Sequence, residues 1–592
     1  MTRPCYRFSV GLFRTGANSM IRQVGFLLAA LACAWPVCGQ QEPASPGGVT
    51  SRELVKLTAR SDLVLVPVIV TDVSGRHVSR LEKDAFRVEE DGKLRAISVF
   101  EQVKTEIAAG HTRVPTSDEH SNFSLDPGHP WRVSVVCLDM INSPWVRQLE
   151  AKRQLTDYLL RTALRDEPMA LFALTGRGLR QVHPFTRETK VLVAALQKLK
   201  LSLSAQESAF PPDSLTPDPL EQEQASDEEQ LLSDALSEQD AEVSANYQRI
   251  ATRETLLAMN QLARAFQALP GRKTLIWASA GFPFMIDDPE SFARLGDELR
   301  FQYETTWRAL ESANIAVYSV DLNALEYAAA ALPSANTSIS SSKIADIRGS
   351  NAHLRSPLRF PNDQGAQRRL TLHAFADATG GRACVTIDEL EKCFAQAVDD
   401  SRAYYLLGYY LNGEEKPGWR RLKVKVTPSG LHVRHRSGFY MTPKIQDTPE
   451  LRRQQLVDAL SSPVDYTGLR LTARQLPPAG SSQADSSKDG RKPAEFLLGI
   501  MRDSITIDTE HGNAIDLQVA TLALDTKRKS VASMSQAIAT KFDGQKLQKI
   551  MRTGIGIPET VDLPPGKYEV KFAVRDNLSG LLGTISVPLE LK

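Results

Sequence analysis

The feature that most constrains this chain is Trp131-Arg-Val-Ser-Val-Val-Cys-Leu138, which runs without a break into Asp139-Met-Ile-Asn-Ser143-Pro144. The first part is apolar and rich in β-branched residues, the composition of a strand covered on both faces. The second part places a carboxylate and a hydroxyl where the strand hands over to a helix. Pro144 suits a first helical turn. Val146, Leu149, Leu155, Leu159 and Leu160 then set apolar side chains along one side of that helix. A buried strand followed by an amphipathic helix is the unit of a parallel sheet. Ligands of open α/β sheets sit outside the carboxyl ends of the strands, so Asp139 is the best-placed polar residue in the chain.

The alternation continues. Met169–Leu174, Lys273–Ala278 and Ile315–Val320 read as further strands, Gln181–Pro184 as a short edge strand. Helices are expected over 190–199, 249–269, 292–313, 370–379 and 388–401, with a short strand around Cys384. Together these predict an α/β domain over 131–442, and the alternating runs 404–410, 420–426 and 431–436 are expected to extend its sheet with antiparallel strands. Two stretches break the rhythm. Residues 201–248 hold no Lys or Arg and many Asp, Glu and Pro, and read as a solvated acidic insertion. Residues 328–365, rich in Ser and Ala, read as a second insertion.

A chain of 592 residues is too long for one core and suggests about two to four domains. Residues 61–105 read as a small β module: Leu63–Val70, with Pro67 marking an edge strand, then Phe86–Glu90 and Leu94–Phe100 joined at the hairpin signal Asp91-Gly92. A linker covers 106–130. After 442 come a charged helix and a linker over 443–495. Residues 496–592 alternate in the manner of an immunoglobulin-like β-sandwich.

Residues 1–39 have the layout of a secretory signal peptide: Met20-Ile-Arg22, an apolar stretch from Val24 to Val37, then Cys38-Gly39. Residues 40–60 follow as a linker. The expected location is therefore periplasmic, cell-surface or extracellular. No later segment reaches the roughly 20 apolar residues of a membrane-spanning helix. A formal net charge of +1 argues against a nucleic-acid partner. Cleavage near Gly39 leaves three cysteines. Cys137 sits inside the apolar strand, and Cys384 and Cys393 are candidates for a disulfide in an oxidising compartment.

Several stretches carry a family resemblance: Val68-Ile-Val-Thr-Asp72, Phe86-Arg-Val-Glu-Glu-Asp-Gly92, Gly271-Arg-Lys-Thr-Leu-Ile276, Ile315-Ala-Val-Tyr-Ser-Val-Asp321, Ala378-Thr-Gly-Gly381 and Tyr405-Leu-Leu-Gly-Tyr409. With the order of elements, they make the chain resemble exported bacterial proteins related to von Willebrand factor A. The resemblance implies a doubly wound, Rossmann-like A-type α/β domain, flanked by the small N-terminal β module and the C-terminal sandwich. It also implies a divalent cation, Mg²⁺ or Ca²⁺, held by Asp-x-Ser-x-Ser, a Thr from a second loop and an Asp-Gly after a later strand. Asp139 and Ser143 match the ends of the first motif, while Ile141 stands at its middle Ser. Ser279-Ala280-Gly281 stands where Thr-Asp-Gly lies in the family. The metal site, Asp139 with Ser143, is thus expected to be degenerate. Thr186, Ser279 and Asp321 are candidate contacts along the same edge.

The function these expectations describe is that of an exported, non-enzymatic protein-binding or adhesion-type protein. It would take a protein or an extracellular polymer as partner at the carboxyl edge of the sheet. The alternative is a metal-independent envelope scaffold acting through its β modules. A serine hydrolase is more remote: Ala278-Ser279-Ala-Gly281 follows a strand, but Trp277 occupies the position where a nucleophile elbow needs Gly, and nothing ties His183 or His373 to Ser279.

Overall fold

The structure, a computed structural model, describes residues 63–105, 119–123, 133–161, 168–204, 227–267, 269–282, 297–322, 364–384, 390–411, 418–441, 447–477, 490–510 and 512–591. The expected signal peptide, the linkers at 40–60 and 106–118, and the insertion over 328–363 lie outside these residues. The first strands are β1 (Leu63–Thr71), β2 (Phe86–Glu90), β3 (Lys93–Arg95), β4 (Val99–Lys104) and β5 (Glu119–Ser121). A stretch of alternating strands and helices follows: β6 (Ser134–Asp139), α1 (Trp145–Arg161), β7 (Met169–Thr175), β8 (Gly178–Thr186), α2 (Thr189–Lys198), α3 (Asp227–Ala265), β9 (Lys273–Ser279), α4 (Asp297–Ser312), β10 (Ile315–Asp321), α5 (Gln364–Thr379), β11 (Arg382–Cys384) and α6 (Leu390–Asp400). Then come β12 (Ala403–Tyr410), β13 (Gly418–Val426), β14 (His432–His435), β15 (Gly438–Met441), α7 (Pro449–Ser461), β16 (Leu471–Gln475), β17 (Lys492–Ile500), β18 (Ala514–Asp525), β19 (Ser530–Lys541), α8 (Gly544–Thr553), β20 (Ile555–Leu563), β21 (Gly566–Asp576) and β22 (Leu582–Leu591).

One six-stranded sheet has the order β11-β10-β9-β6-β7-β8. Its strands run parallel, except that β8 is antiparallel to β7. Every residue of β6, β9 and β10 is buried, as their unbroken apolar runs require. Successive side chains of a strand point to opposite faces, and β6 feeds two cores in this way. Val135 and Cys137 join Met259, Leu262, Trp307 and Phe375 on one side. Val136 and Leu138 join Leu155, Tyr158, Leu196 and Phe394 on the other.

The expected fold class is corrected. Among the described residues strand outweighs helix, 44% to 29%. The described residues form five sheets, four of them four-stranded, with eight α-helices. A doubly wound Rossmann-like A-type core does not describe this molecule. The physical reason lies mainly in β12, β13 and β14, which were expected to extend the parallel sheet. β12 pairs with β1 and β4, β13 pairs with β2 and β15, and β14 pairs with β1. Alternating apolar and polar side chains identify a half-buried antiparallel strand but do not say which sheet receives it.

These pairings build a sandwich from sheets β14-β1-β12-β4 and β15-β13-β2-β3. Val64, Val66, Val68, Phe86, Val88, Leu407, Tyr409, Val424 and Phe439 form its core. The stretch 61–105 is therefore half of a unit rather than a module. Pro67 does not mark an edge: β1 lies between β14 and β12, and β14 joins only from Val68 onward, just past the residue without an N–H. The two ends of the α/β stretch meet at this sandwich, where Thr105 donates from N to Arg402 O at 2.8 Å and from Oγ1 to Ser401 O at 2.8 Å.

A second sandwich joins sheet β20-β17-β16-β5 to sheet β19-β18-β21-β22. Leu471, Phe496, Leu498, Leu517, Val519, Val570 and Phe572 fill it. It begins before residue 496 and recruits β5 from the expected linker, held by Asn122, whose Nδ2 donates to Tyr466 O and Leu469 O at 2.8 Å each. A further difference concerns the acidic insertion. From Asp227 it is helical and continues into the expected helix as one element of 39 residues. The last proline of the insertion is Pro219, and the Glu, Gln, Ala and Leu beyond it favour helix.

Candidate functional site

Asp139 ends β6 at the carboxyl edge of the six-stranded sheet and is 1% exposed. Its Oδ1 accepts from Asn142 N at 3.2 Å and Asn142 Nδ2 at 3.0 Å. Its Oδ2 accepts from Asn142 Nδ2 at 2.9 Å, Trp277 Nε1 at 3.0 Å and Ser279 Oγ at 2.8 Å. Burial pushes the Asp139 pKa up to about 6, against the pull of these donors. Asn142 Nδ2 also donates to Thr255 Oγ1 at 2.9 Å, which ties the loop to α3. Ser143 Oγ accepts from Ala280 N at 2.9 Å and so joins the loop after β6 to the loop after β9.

A divalent cation does not fit this arrangement. It needs several oxygen ligands with free lone pairs, and both Asp139 oxygens face N–H and O–H donors. The Trp277 indole is donor-only and cannot be turned into a ligand. Among the described residues no group of three or more His, Cys, Asp or Glu could hold a metal ion. The sequence reading marked Ile141 and Ala280 as lost ligands. It missed Asn142 and Trp277, the residues that take their place. Two signals were available: an amide three residues after the carboxylate is placed to close an Asx-type turn, and a buried indole N–H must find an acceptor.

The other expected edge residues divide. Ser279 and Asp321 face each other across the β9–β10 register, and Leu322 N donates to Ser279 O at 3.1 Å. Thr186 does not belong to this edge. In the β7–β8 register it lies opposite Met169, at the amino end of the parallel strands, and its Oγ1 accepts from Glu188 N at 3.1 Å. Ser279 is fully buried, and its single hydroxyl proton is shared between Asp139 Oδ2 and Gly281 O, each 2.8 Å from Oγ. Neither His183, whose Nδ1 lies 2.7 Å from Pro184 O, nor His373 is among its described partners, so neither histidine forms a nucleophile–base pair with it. Cys384 is disulfide-bonded, and the Cys393 side chain lies outside the described residues. Cys137 is buried and free.

The edge is closed by its own chain. Gln148, buried on α1, donates from Nε2 to Met140 O at 2.9 Å, Ser143 O at 2.7 Å and Ser202 O at 2.7 Å. Its Oε1 accepts from Ser202 N at 3.2 Å. A small cavity beneath is lined by Leu138, Asp139, Met140, Gln148, Ala151, Leu201, Ala278 and Leu322. The inward face of α1 is Gln148, Ala151, Leu155, Tyr158 and Leu159. This is a rotation from the expected face, and it leaves an apolar group outside: Trp145 is 46% exposed, Val146 52%, Leu149 52% and Leu203 50%. Leu149 lies three and four residues from Val146 and Trp145, which makes the three neighbours on the helix surface. Leu203 follows Ser202, which Gln148 binds.

No family model matches the chain. No curated protein matches it. Among solved structures, the pilus adhesin SpaC from Lactobacillus rhamnosus GG aligns at 7% identity and a TM-score of 0.21, covering 87% of this chain and 59% of that one. A TM-score of that size does not define a shared fold. The match spans under two thirds of the adhesin's length.

Proposed function

We propose that this chain is a non-enzymatic protein-binding protein that takes its partner, without a metal ion, on the first turns of α1 beside the carboxyl edge of the six-stranded sheet. The observation that carries this reading is the exposed group Trp145, Val146, Leu149 and Leu203. Trp145, Val146 and Leu149 are neighbours on the helix surface, exposed apolar groups of this kind mark interaction surfaces, and a tryptophan is a frequent anchor of such contacts. The closed hydrogen bonding of Asp139 supports a contact made by packing rather than by cation coordination. The signal-like layout of residues 1–39 supports an exported setting, in which the partner is a surface protein or an extracellular polymer.

The test is binding of the purified chain to the envelope fraction of the producing organism. Trp145→Glu with Leu149→Glu should weaken capture at least about tenfold, the scale of one lost anchor contact. Val457→Glu, equally exposed on α7, should leave it unchanged. A chelator should have no effect. Loss of capture on chelation would overturn the metal-independent reading, and full capture by the double variant would overturn the α1 surface.

A further inference from the structure

Sheet edges offer unpaired N–H and C=O groups to other chains, and proteins protect them with short strands, proline, charge or bulges. Nine of the ten strands that end the five sheets are protected in these ways. β3, β5 and β11 have three residues, β14 and β15 four. β4 carries Glu101 and Lys104. β8 carries Arg180 and Pro184 and two register shifts against β7. β20 contains Pro558, Glu559 and Asp562, and β22 contains Pro588 and Glu590.

β19 is far less protected: its one register shift against β18 falls at Val531, next to its first residue, and its one charge, Lys541, is its last residue. It is 12 residues long, Ser530-Val-Ala-Ser-Met-Ser-Gln-Ala-Ile-Ala-Thr-Lys541, and most of it is exposed. No proline, glycine or charge occurs from Ser530 to Thr540. One side pairs with β18 from Ser530 to Lys541, and among the described strands none pairs with the other side. Its outward face carries Ser533, Ser535, Ala537 and Ala539, set opposite Leu522, Ala520, Gln518 and Asp516 of β18. Small, neutral side chains leave the backbone ladder as the dominant feature of this edge.

We infer that β19 pairs antiparallel with β19 of a second copy of this chain, joining two four-stranded sheets into one of eight strands across a two-fold axis. The charge pattern selects this occupant. An antiparallel strand set against itself brings like charges together wherever it is charged near its centre, and such pairs destabilise a sheet. β19 has no charge there, and its lysine lies at one end, away from the axis. A foreign strand would be chosen by charge or by side-chain pockets, and this edge presents neither. Self-pairing uses what it does present: a ladder regular from Ala532 to Lys541 and uncharged to Thr540, in the isologous geometry of a C2 dimer. Full overlap supplies roughly ten backbone hydrogen bonds.

This dimer does not depend on the α1 surface, and its test contains no partner. The purified chain is sedimented over a wide range of concentration, alone and as Ser535→Lys with Ala537→Lys. Wild type should appear at twice the chain mass. The double variant, whose new charges are exposed and face each other across the axis, should appear as a monomer with unchanged circular dichroism and melting. Ser535→Cys, close to the axis, should form a disulfide-linked dimer on mild oxidation, and Val457→Cys should not. Wild type that stays monomeric, whether alone or with an extended peptide bound along β19, overturns the inference. So does a double variant that remains dimeric.

Discussion

At the scale of single residues, Asp139 holds the edge together by accepting. Asp139→Ala leaves the buried Trp277 indole N–H without its acceptor and takes one acceptor from the Asn142 amide. The expected loss is about 3 kcal/mol of stability, read from urea unfolding. The pH dependence has a definite sign. The native pKa of Asp139, about 6, lies above the ordinary 3.8. The native chain therefore keeps a proton that the unfolded chain has released, and stability falls as pH rises from about 4 to about 6. The stability difference between wild type and Asp139→Asn should change within that window and be flat above it. A difference that does not vary with pH would contradict the buried-acid description. Addition of Mg²⁺ or Ca²⁺ should leave the melting temperature of wild type where it was. The sequence showed that ligands were missing here, because Ile141 and Ala280 have no oxygen in their side chains. It did not show what replaced them, since Trp277 meets Asp139 only once β9 lies beside β6.

At the scale of elements, Ala378-Thr-Gly-Gly381 shows how tightly the pieces fit. Gly380 has φ +75, a conformation that suits glycine at a helix C-terminus. A Cβ at Gly381 would overlap the carbonyl of Val317 in β10, which is backbone and cannot step aside. Gly381→Ala should cost about 3 kcal/mol or more, as overpacking against a fixed strand does, with a matching fall in melting temperature. His77, in the turn after β1, has its Nε2 3.0 Å from Asp399 Oδ2 near the end of α6, and the contact with that carboxylate raises its pKa. A raised histidine pKa stabilises below 6.5 and loses that contribution as pH rises through the native value. His77→Gln should therefore lose stability near pH 6 and little at pH 9. The strands of the parallel sheet were legible from their unbroken apolar runs. The facing of α1 was not, because Gln148 and Tyr158 turn inward on hydrogen bonding and ring packing, which apolar periodicity does not count.

At the scale of the whole molecule, sequence order and spatial order part company. The N-terminal boundary looked like a module because β1, β2 and β4 are consecutive and alternate cleanly. Their partners β12 and β13 alternate just as cleanly, and alternation carries no address. Residues 61–105 expressed alone should therefore remain unfolded by circular dichroism, whereas the same residues in the full chain are protected from amide exchange. The sandwich closes over a long interval: Leu81 N donates to the Tyr405 hydroxyl across 324 residues. At roughly 5–20 residues per second, synthesis takes on the order of 15–65 s to bridge that gap. For that time Val64, Val66 and Val68 have no partner strand from β12. Folding of this sandwich thus waits on a clock set by the ribosome. All six strands of the parallel sheet are made in that interval, so that sheet can pair before the strands that frame it meet.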